Sequence, residues 1–92
     1  MLHKIKKINI LPDYKISVQF CEGVRIIYAV SQLFEKYSSF LPLKYSPELF
    51  SAVIVDRGGY GIIWNDDIDI SCDELWANGT EIVPIESKNS NQ

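Results

Sequence analysis

Asp66, Asp67, Asp69, Asp73 and Glu74 crowd one short stretch of the chain, and carboxylate oxygens at close spacing are what a hard cation would seek. Asp67, Asp69 and Ser71 alternate as the first ligands of a calcium loop do. Such a loop also needs a glycine at its sixth position and a bidentate glutamate at its twelfth, where this chain has Cys72 and Asn78. Asp67, Asp69 and Asp73 are therefore weak metal candidates, and the expectation is that the chain holds no metal and no cofactor. A structural role competes for the same residues. Ser71 and Glu74 stand at the spacing of a capping box, and Asp73 and Glu74 suit the positive end of a helix.

Lys4, Lys6, Lys7, Lys15 and Arg25 form the second group. They would make a basic interaction patch if adjacent strands brought them together; solvated charges guarding an edge strand are the alternative. Other chemistry is scarce. His3 is the single histidine, and so close to the chain start it is expected to be exposed and without a partner. No nucleophile motif, phosphate loop or His/Cys metal spacing is present. Gly58-Gly59-Tyr60-Gly61 joins two predicted strands rather than a strand and a helix, so it reads as a turn. No enzyme is expected.

The elements that must position these groups follow from periodicity. Tyr14, Ile16, Val18 and Phe20 alternate with polar residues, and Val24, Ile26, Tyr28 and Val30 continue the pattern, which predicts a hairpin over residues 14–30. A two-residue Glu22-Gly23 loop would set Phe20 opposite Arg25 and mix the faces. A three-residue loop, Cys21-Glu22-Gly23, pairs Phe20 with Val24, Val18 with Ile26 and Ile16 with Tyr28, so the apolar residues share one face. Gly23 then occupies the place that needs positive φ.

A strand over 2–10 precedes the hairpin, with a turn at Pro12-Asp13 and a bulge near Lys6-Lys7, where the alternation slips. Ser31 to Tyr37 reads as a short helix with Leu33 and Phe34 inward. Another begins at Ser46-Pro47, a capping residue followed by a proline suited to the first helical position. A second hairpin joins Ala52–Asp56 to Tyr60–Trp64 through Arg57-Gly58-Gly59, with glycine again third in the loop. Ile68–Ile70 is a short strand leading into the Ser71-capped helix, which stops at Asn78-Gly79. Residues 80–85 make a last edge strand that tolerates Pro84. The fold class is α+β: one small domain over residues 1–85 built of antiparallel hairpins and two or three short helices, with a polar tail over 86–92 that frays.

Composition agrees with one core. The 92 residues are 47% hydrophobic and include two Trp, five Tyr and four Phe, and Trp64 and Trp76 are expected inside. A chain of this length buries only about 60–65% of the surface its unfolded form exposes, so its aromatic area matters. The net charge of −3 disfavours a generic nucleic-acid binder. It conceals an asymmetry: residues 1–45 carry seven cations against three carboxylates, a net +4, and residues 46–92 two against nine, a net −7. Cys21 and Cys72 are distant in sequence and read as free thiols of a reducing cytoplasm. No signal peptide and no membrane span is visible.

The chain resembles an uncharacterised bacterial family catalogued as domain of unknown function 2442. The resemblance runs through Leu11-Pro12-Asp13-Tyr14, Phe20-Cys21-Glu22-Gly23, Pro47-Glu48-Leu49-Phe50, Val53-x-Val55-Asp56, Ile63-Trp64 and Asp69-Ile70-Ser71-x-Asp73-x-Leu75-Trp76. It spans about residues 2–79. Family members usually follow the tryptophan with Pro-Asn-Gly, where this chain has Asn65-Asp66-Asp67, and often carry Asp in place of Ala29 and Pro in place of Cys72. The resemblance implies a compact α+β fold and no established activity. It also implies relatives that precede a helix-turn-helix domain, and others paired with a second small protein as toxin and antitoxin are. The functional expectation is a non-enzymatic protein-interaction or regulatory module, an antitoxin-like partner of a small protein. The alternative is an accessory nucleic-acid-binding module that uses the basic N-terminal strands.

Overall fold

The computed structural model describes residues 3–82. β1 (Ile5–Leu11), β2 (Lys15–Phe20), β3 (Arg25–Ala29) and β7 (Thr80–Glu81) form a four-stranded antiparallel sheet in that order. β4 (Ile54–Val55), β5 (Gly61–Asn65) and β6 (Ile68–Ser71) form a three-stranded antiparallel sheet. Helices α1 (Leu41–Tyr45), α2 (Pro47–Ser51) and α3 (Cys72–Asn78) complete the α+β domain, with 3₁₀ turns at Val30–Leu33 and Ser38–Phe40.

The β2–β3 hairpin has the expected register: Ile16 faces Tyr28 and Val18 faces Ile26. Phe20 N–H donates to the Val24 carbonyl at 2.8 Å, and Gly23 takes φ of 97° in the three-residue loop. Ile16, Val18, Phe20, Ile26 and Tyr28 are buried on one face, and Val24, at the hairpin mouth, is half-buried. The bulge in β1 also stands where the alternation slips, between Ile5 and Lys7. It lets Ile5 and Ile8 both point to the core side, which strict alternation would forbid.

Several boundaries move. β1 begins at Ile5, and the expected start at Leu2 lies outside the described residues. Tyr14 is a turn residue at φ of 60°, next to Asp13 at 64°. Its half-buried ring packs edge-on to Phe34 and Phe50, and its hydroxyl donates to the Lys44 carbonyl at 2.7 Å. These contacts offset a backbone conformation that bulky residues rarely adopt. The Ser31–Tyr37 helix is a 3₁₀ turn over Val30–Leu33 followed by a non-helical turn, although Leu33 and Phe34 do point inward. Pairing of Val55 with Ile62 and a bond from Asp56 N–H to the Gly61 carbonyl make the second hairpin loop four residues, Arg57 to Tyr60. Asp56 Oδ1 accepts from Tyr60 N–H at 2.9 Å, which draws Tyr60 out of the strand. α1 was not expected from the sequence; its first residues, Leu41-Pro42, suit a helix start. α2 is capped as expected, with Ser46 Oγ accepting from Leu49 N–H at 3.1 Å. β7 supplies the last edge strand, and the rest of the stretch 80–85, Pro84 included, with the tail 86–92, lies outside the described residues.

Both sheets and α3 contribute to one core. Ile16, Val18, Phe20, Ile26 and Tyr28 meet Ile62, Trp64, Ile68, Ile70 and Leu75 there. Each such side chain, fully buried, contributes about 1.5–3 kcal/mol. Trp64 lies between Phe40 and Phe50 and donates its indole N–H to the Phe50 carbonyl at 2.9 Å. The sheets are joined at Gly59, whose carbonyl accepts from Ile5 N–H at 2.7 Å and from the Cys72 thiol at 3.2 Å.

Candidate functional site

β6 turns its apolar residues Ile68 and Ile70 into the core and leaves Asp69 and Ser71 exposed. Ser71 then caps α3, its Oγ accepting from Glu74 N–H at 3.2 Å. The reciprocal half of the expected capping box is replaced by another bond. Glu74 Oε2 accepts instead from the hydroxyl of Tyr28 at 2.8 Å. Tyr28 is wholly buried, and an enclosed phenol needs a partner for its O–H. Burial first, and then the Glu74 bond, push the Tyr28 hydroxyl well above its ordinary value of 10.

Across from this wall run the turns after β3, which expose Gln32, Lys36 and Tyr37. A cleft of about 260 Å³ lies between them, with Asp69, Ser71, Glu74 and Asn78 on one side and Gln32, Lys36 and Tyr37 on the other. Leu33, Phe40 and Ile70 supply its apolar part.

A second cleft, of about 360 Å³, lies on the other flank of Ser71 and is bounded by His3, Tyr60, Cys72 and Asp73. Contrary to expectation, His3 has partners. Its ring stacks on Trp76 with centroids 3.4 Å apart, and Nδ1 lies 2.8 Å from Glu22 Oε2. That hydrogen bond is the largest cause holding the Glu22 carboxyl below its ordinary value. Trp76 is half-buried and meets Phe20 edge-on, so the imidazole covers the ring side that the core does not. Burial pushes the Cys72 thiol up to about 11, with Asp56 and Asp73 adding to it.

The three weak metal candidates are dispersed over different surroundings. Asp67 is in the β5–β6 turn, its N–H bonded to Asn65 Oδ1 at 2.8 Å. Asp69 borders the first cleft and Asp73 the second. Among the described residues no three His, Cys, Asp or Glu side chains converge on one point.

The basic residues divide as well. Pairing of Lys7 with Gln19 and of Gln19 with Arg25 sets Lys7, Gln19 and Arg25 in one row across the outer face of the larger sheet. Lys15, between Leu11 and Ala29, lies further along that face. Lys6 falls in the bulge, and Lys4 holds its Nζ 5.5 Å from the centroid of the Tyr60 ring, toward the second cleft. Lys7, Lys15 and Arg25 therefore make the sheet-face patch, without Lys4 and Lys6.

Sequence reasoning missed Lys36, Tyr37 and the Tyr28–Glu74 bond. One signal was available: Tyr28 falls on the buried face of its strand, so its hydroxyl had to meet a partner from elsewhere in the chain.

A family model described as protein of unknown function (DUF2442) matches residues 5–81. The chain belongs to this family. The matched span takes in every strand and helix among the described residues. No curated protein and no solved structure matches the chain. None of the described helices is long and apolar enough to cross a membrane.

Proposed function

We propose that this DUF2442 protein is a non-enzymatic protein-interaction module of the bacterial cytoplasm, acting as the regulatory or antitoxin-like partner of a small protein. The observation that carries the reading is the placement of charge that has no oppositely charged partner at short range. Lys7, Lys15 and Arg25 occupy the outer face of one sheet, while Asp66, Asp67, Asp69, Asp73 and Glu74 occupy the edge of the other and the start of α3. Among the described residues no Lys or Arg nitrogen lies within 4 Å of a carboxylate oxygen, so these charges are not neutralised by one another at short range. Surfaces of opposite sign on separate elements favour charge-complementary protein partners and speed their encounter. Ile10, 41% exposed on β1, and Ile54, 62% exposed on β4, add apolar area on two strands that lie against each other.

One further observation supports the non-enzymatic part: the Cys72 thiol, raised to about 11 by burial, is almost wholly protonated at neutral pH. The free thiols Cys21 and Cys72 accord with a reducing compartment.

Affinity purification of the tagged protein from its own cells tests the reading, and a stoichiometric small protein partner is the expected result. The Lys7–Gln19–Arg25 row favours a second reading, an accessory nucleic-acid module. Three phosphate contacts by Lys7, Lys15 and Arg25 would give a salt slope of roughly −2.7 on duplex DNA. We expect no binding at physiological salt. A mobility shift of random duplex by micromolar protein, lost on Lys7→Glu and Arg25→Glu, would replace the first reading with the second.

A further inference from the structure

We propose that the cleft between the β6–α3 wall and the turns after β3 receives an arginine side chain of the partner protein. This rests on the interaction-module reading and names the partner chemistry at one place on its surface. Size is the first argument. At about 260 Å³ the cleft falls below the roughly 300–1,000 Å³ of sites that enclose small molecules, and suits a single side chain.

Charge is the second argument. Asp69 and Glu74 face the cleft, and Lys36 is the one cation on its lining. Among the described residues neither carboxylate has a Lys or Arg nitrogen within 4 Å. Asp66 and Asp67, in the turn that leads into this wall, add to the negative field. An anion would meet two repelling groups for one attracting group; a cation meets two attracting groups for one repelling group.

Geometry selects among cations. The Tyr28 hydroxyl holds Glu74 Oε2 at 2.8 Å, so one edge of the carboxylate is oriented before any ligand arrives and the other oxygen remains. Asn78 follows Glu74 by four residues on α3, one turn further along the same face. Tyr37 is 55% exposed at the opposite rim, and Leu33 and Ile70 line the apolar part. A planar fork of donors that bridges fixed acceptors and stacks on an aromatic ring is a guanidinium, and its methylene stem suits the apolar lining. An ammonium offers neither the fork nor the plane.

The test is an NMR titration of the full chain with N-acetyl-arginine methylamide and its citrulline, lysine and glutamate counterparts. The arginine compound should shift the amides of Tyr37, Asp69, Glu74 and Asn78 saturably, with millimolar affinity. Citrulline, which keeps the shape and loses the charge, should bind at least about tenfold more weakly. Glu74→Gln retains an acceptor for Tyr28, so it should fold, and it should weaken arginine binding about tenfold. Lys36→Gln should strengthen it. Absence of saturable shifts, equal binding of citrulline, preference for the glutamate compound or weakening by Lys36→Gln would each overturn the inference. A captured partner that binds the Asp69→Asn, Glu74→Gln variant at undiminished affinity would overturn the cleft assignment and leave the module reading intact. Selective arginine binding by a chain that captures no partner would do the opposite.

Discussion

Removing the acceptor of the Tyr28 hydroxyl should destabilise the domain more than removing the hydroxyl itself. Tyr28 is 0% exposed and its O–H lies 2.8 Å from Glu74 Oε2, while Glu74 is half-buried. A hydrogen bond to a charged group contributes about 1.5–3 kcal/mol net, and a buried polar group left unpaired costs about 1–3 kcal/mol. Water reaches part of Glu74, which places the bond near the lower limit. Tyr28→Phe removes the donor and leaves the carboxylate to solvent, so about 1–1.5 kcal/mol should be lost. Glu74→Ala leaves the phenol enclosed without an acceptor, and the loss should be about 2 kcal/mol. Glu74→Gln keeps an acceptor and should fall below both. For a domain of this size a loss of about 2 kcal/mol lowers Tm by roughly 8–16 °C. Urea unfolding followed by tryptophan fluorescence measures all three, and the Tyr28→Phe, Glu74→Ala double variant completes a cycle. The raised Tyr28 value adds a sign. Above pH 10 the unfolded phenol releases its proton and the folded one retains it, so stability should fall as pH rises there. Burial is the larger cause, so the fall should persist in Glu74→Gln. A cycle with no coupling, or Glu74→Ala no less stable than Tyr28→Phe, would refute the reasoning.

Four further outcomes are expected. Gly23→Val should cost about 1–3 kcal/mol by backbone strain alone, because a Cβ there meets nothing within 4 Å; a urea midpoint equal to the parent's would remove the strain argument. Gly79→Ala should cost about 1–3 kcal/mol by overpacking, since its Cβ would run into the Ile26 side chain and sit 2.8 Å from the Leu75 carbonyl oxygen, and a full-stability variant would contradict that packing. Glu22 titrates below its ordinary 4.5, so its contribution to stability is present above that pH and lost as pH falls through the lowered value; His3→Ala should move the carbon-detected NMR midpoint upward, and an unmoved midpoint would exclude the bond. A maleimide at pH 8 should label exposed Cys21 and spare Cys72 until denaturant is added, and equal labelling rates in the native protein would count against the buried, protonated thiol.

The local rules of the chain were legible from residue order. Period-two alternation and the position of Gly23 settled the β2–β3 register, because a slip of one residue would have turned Phe20 and Ile26 to opposite faces. The Ser46 and Ser71 caps and the bulge beside Lys6-Lys7 were visible for the same reason, since each depends on residues within a few positions of one another. Asp56 shows the limit of that reading. Its side chain bonds to Tyr60 N–H, a choice between loops of three and four residues that glycine spacing alone does not make.

What the fold decided is which distant surfaces meet. Tyr28 and Glu74 are 46 positions apart, and the carboxylate that local spacing assigns to a capping box goes to the phenol because burial makes an unpaired hydroxyl costlier than an uncapped, solvated N–H. His3 reads as idle beside its sequence neighbours and gains a role only where Trp76 leaves one side of its ring open. Sequence alone determined that acidic and basic groups segregate along the chain and that the hairpin faces are apolar. Tertiary structure alone set Lys36 and Tyr37 across from Asp69 and Glu74, since side-chain contacts at long range follow from how elements pack and carry no signature in spacing.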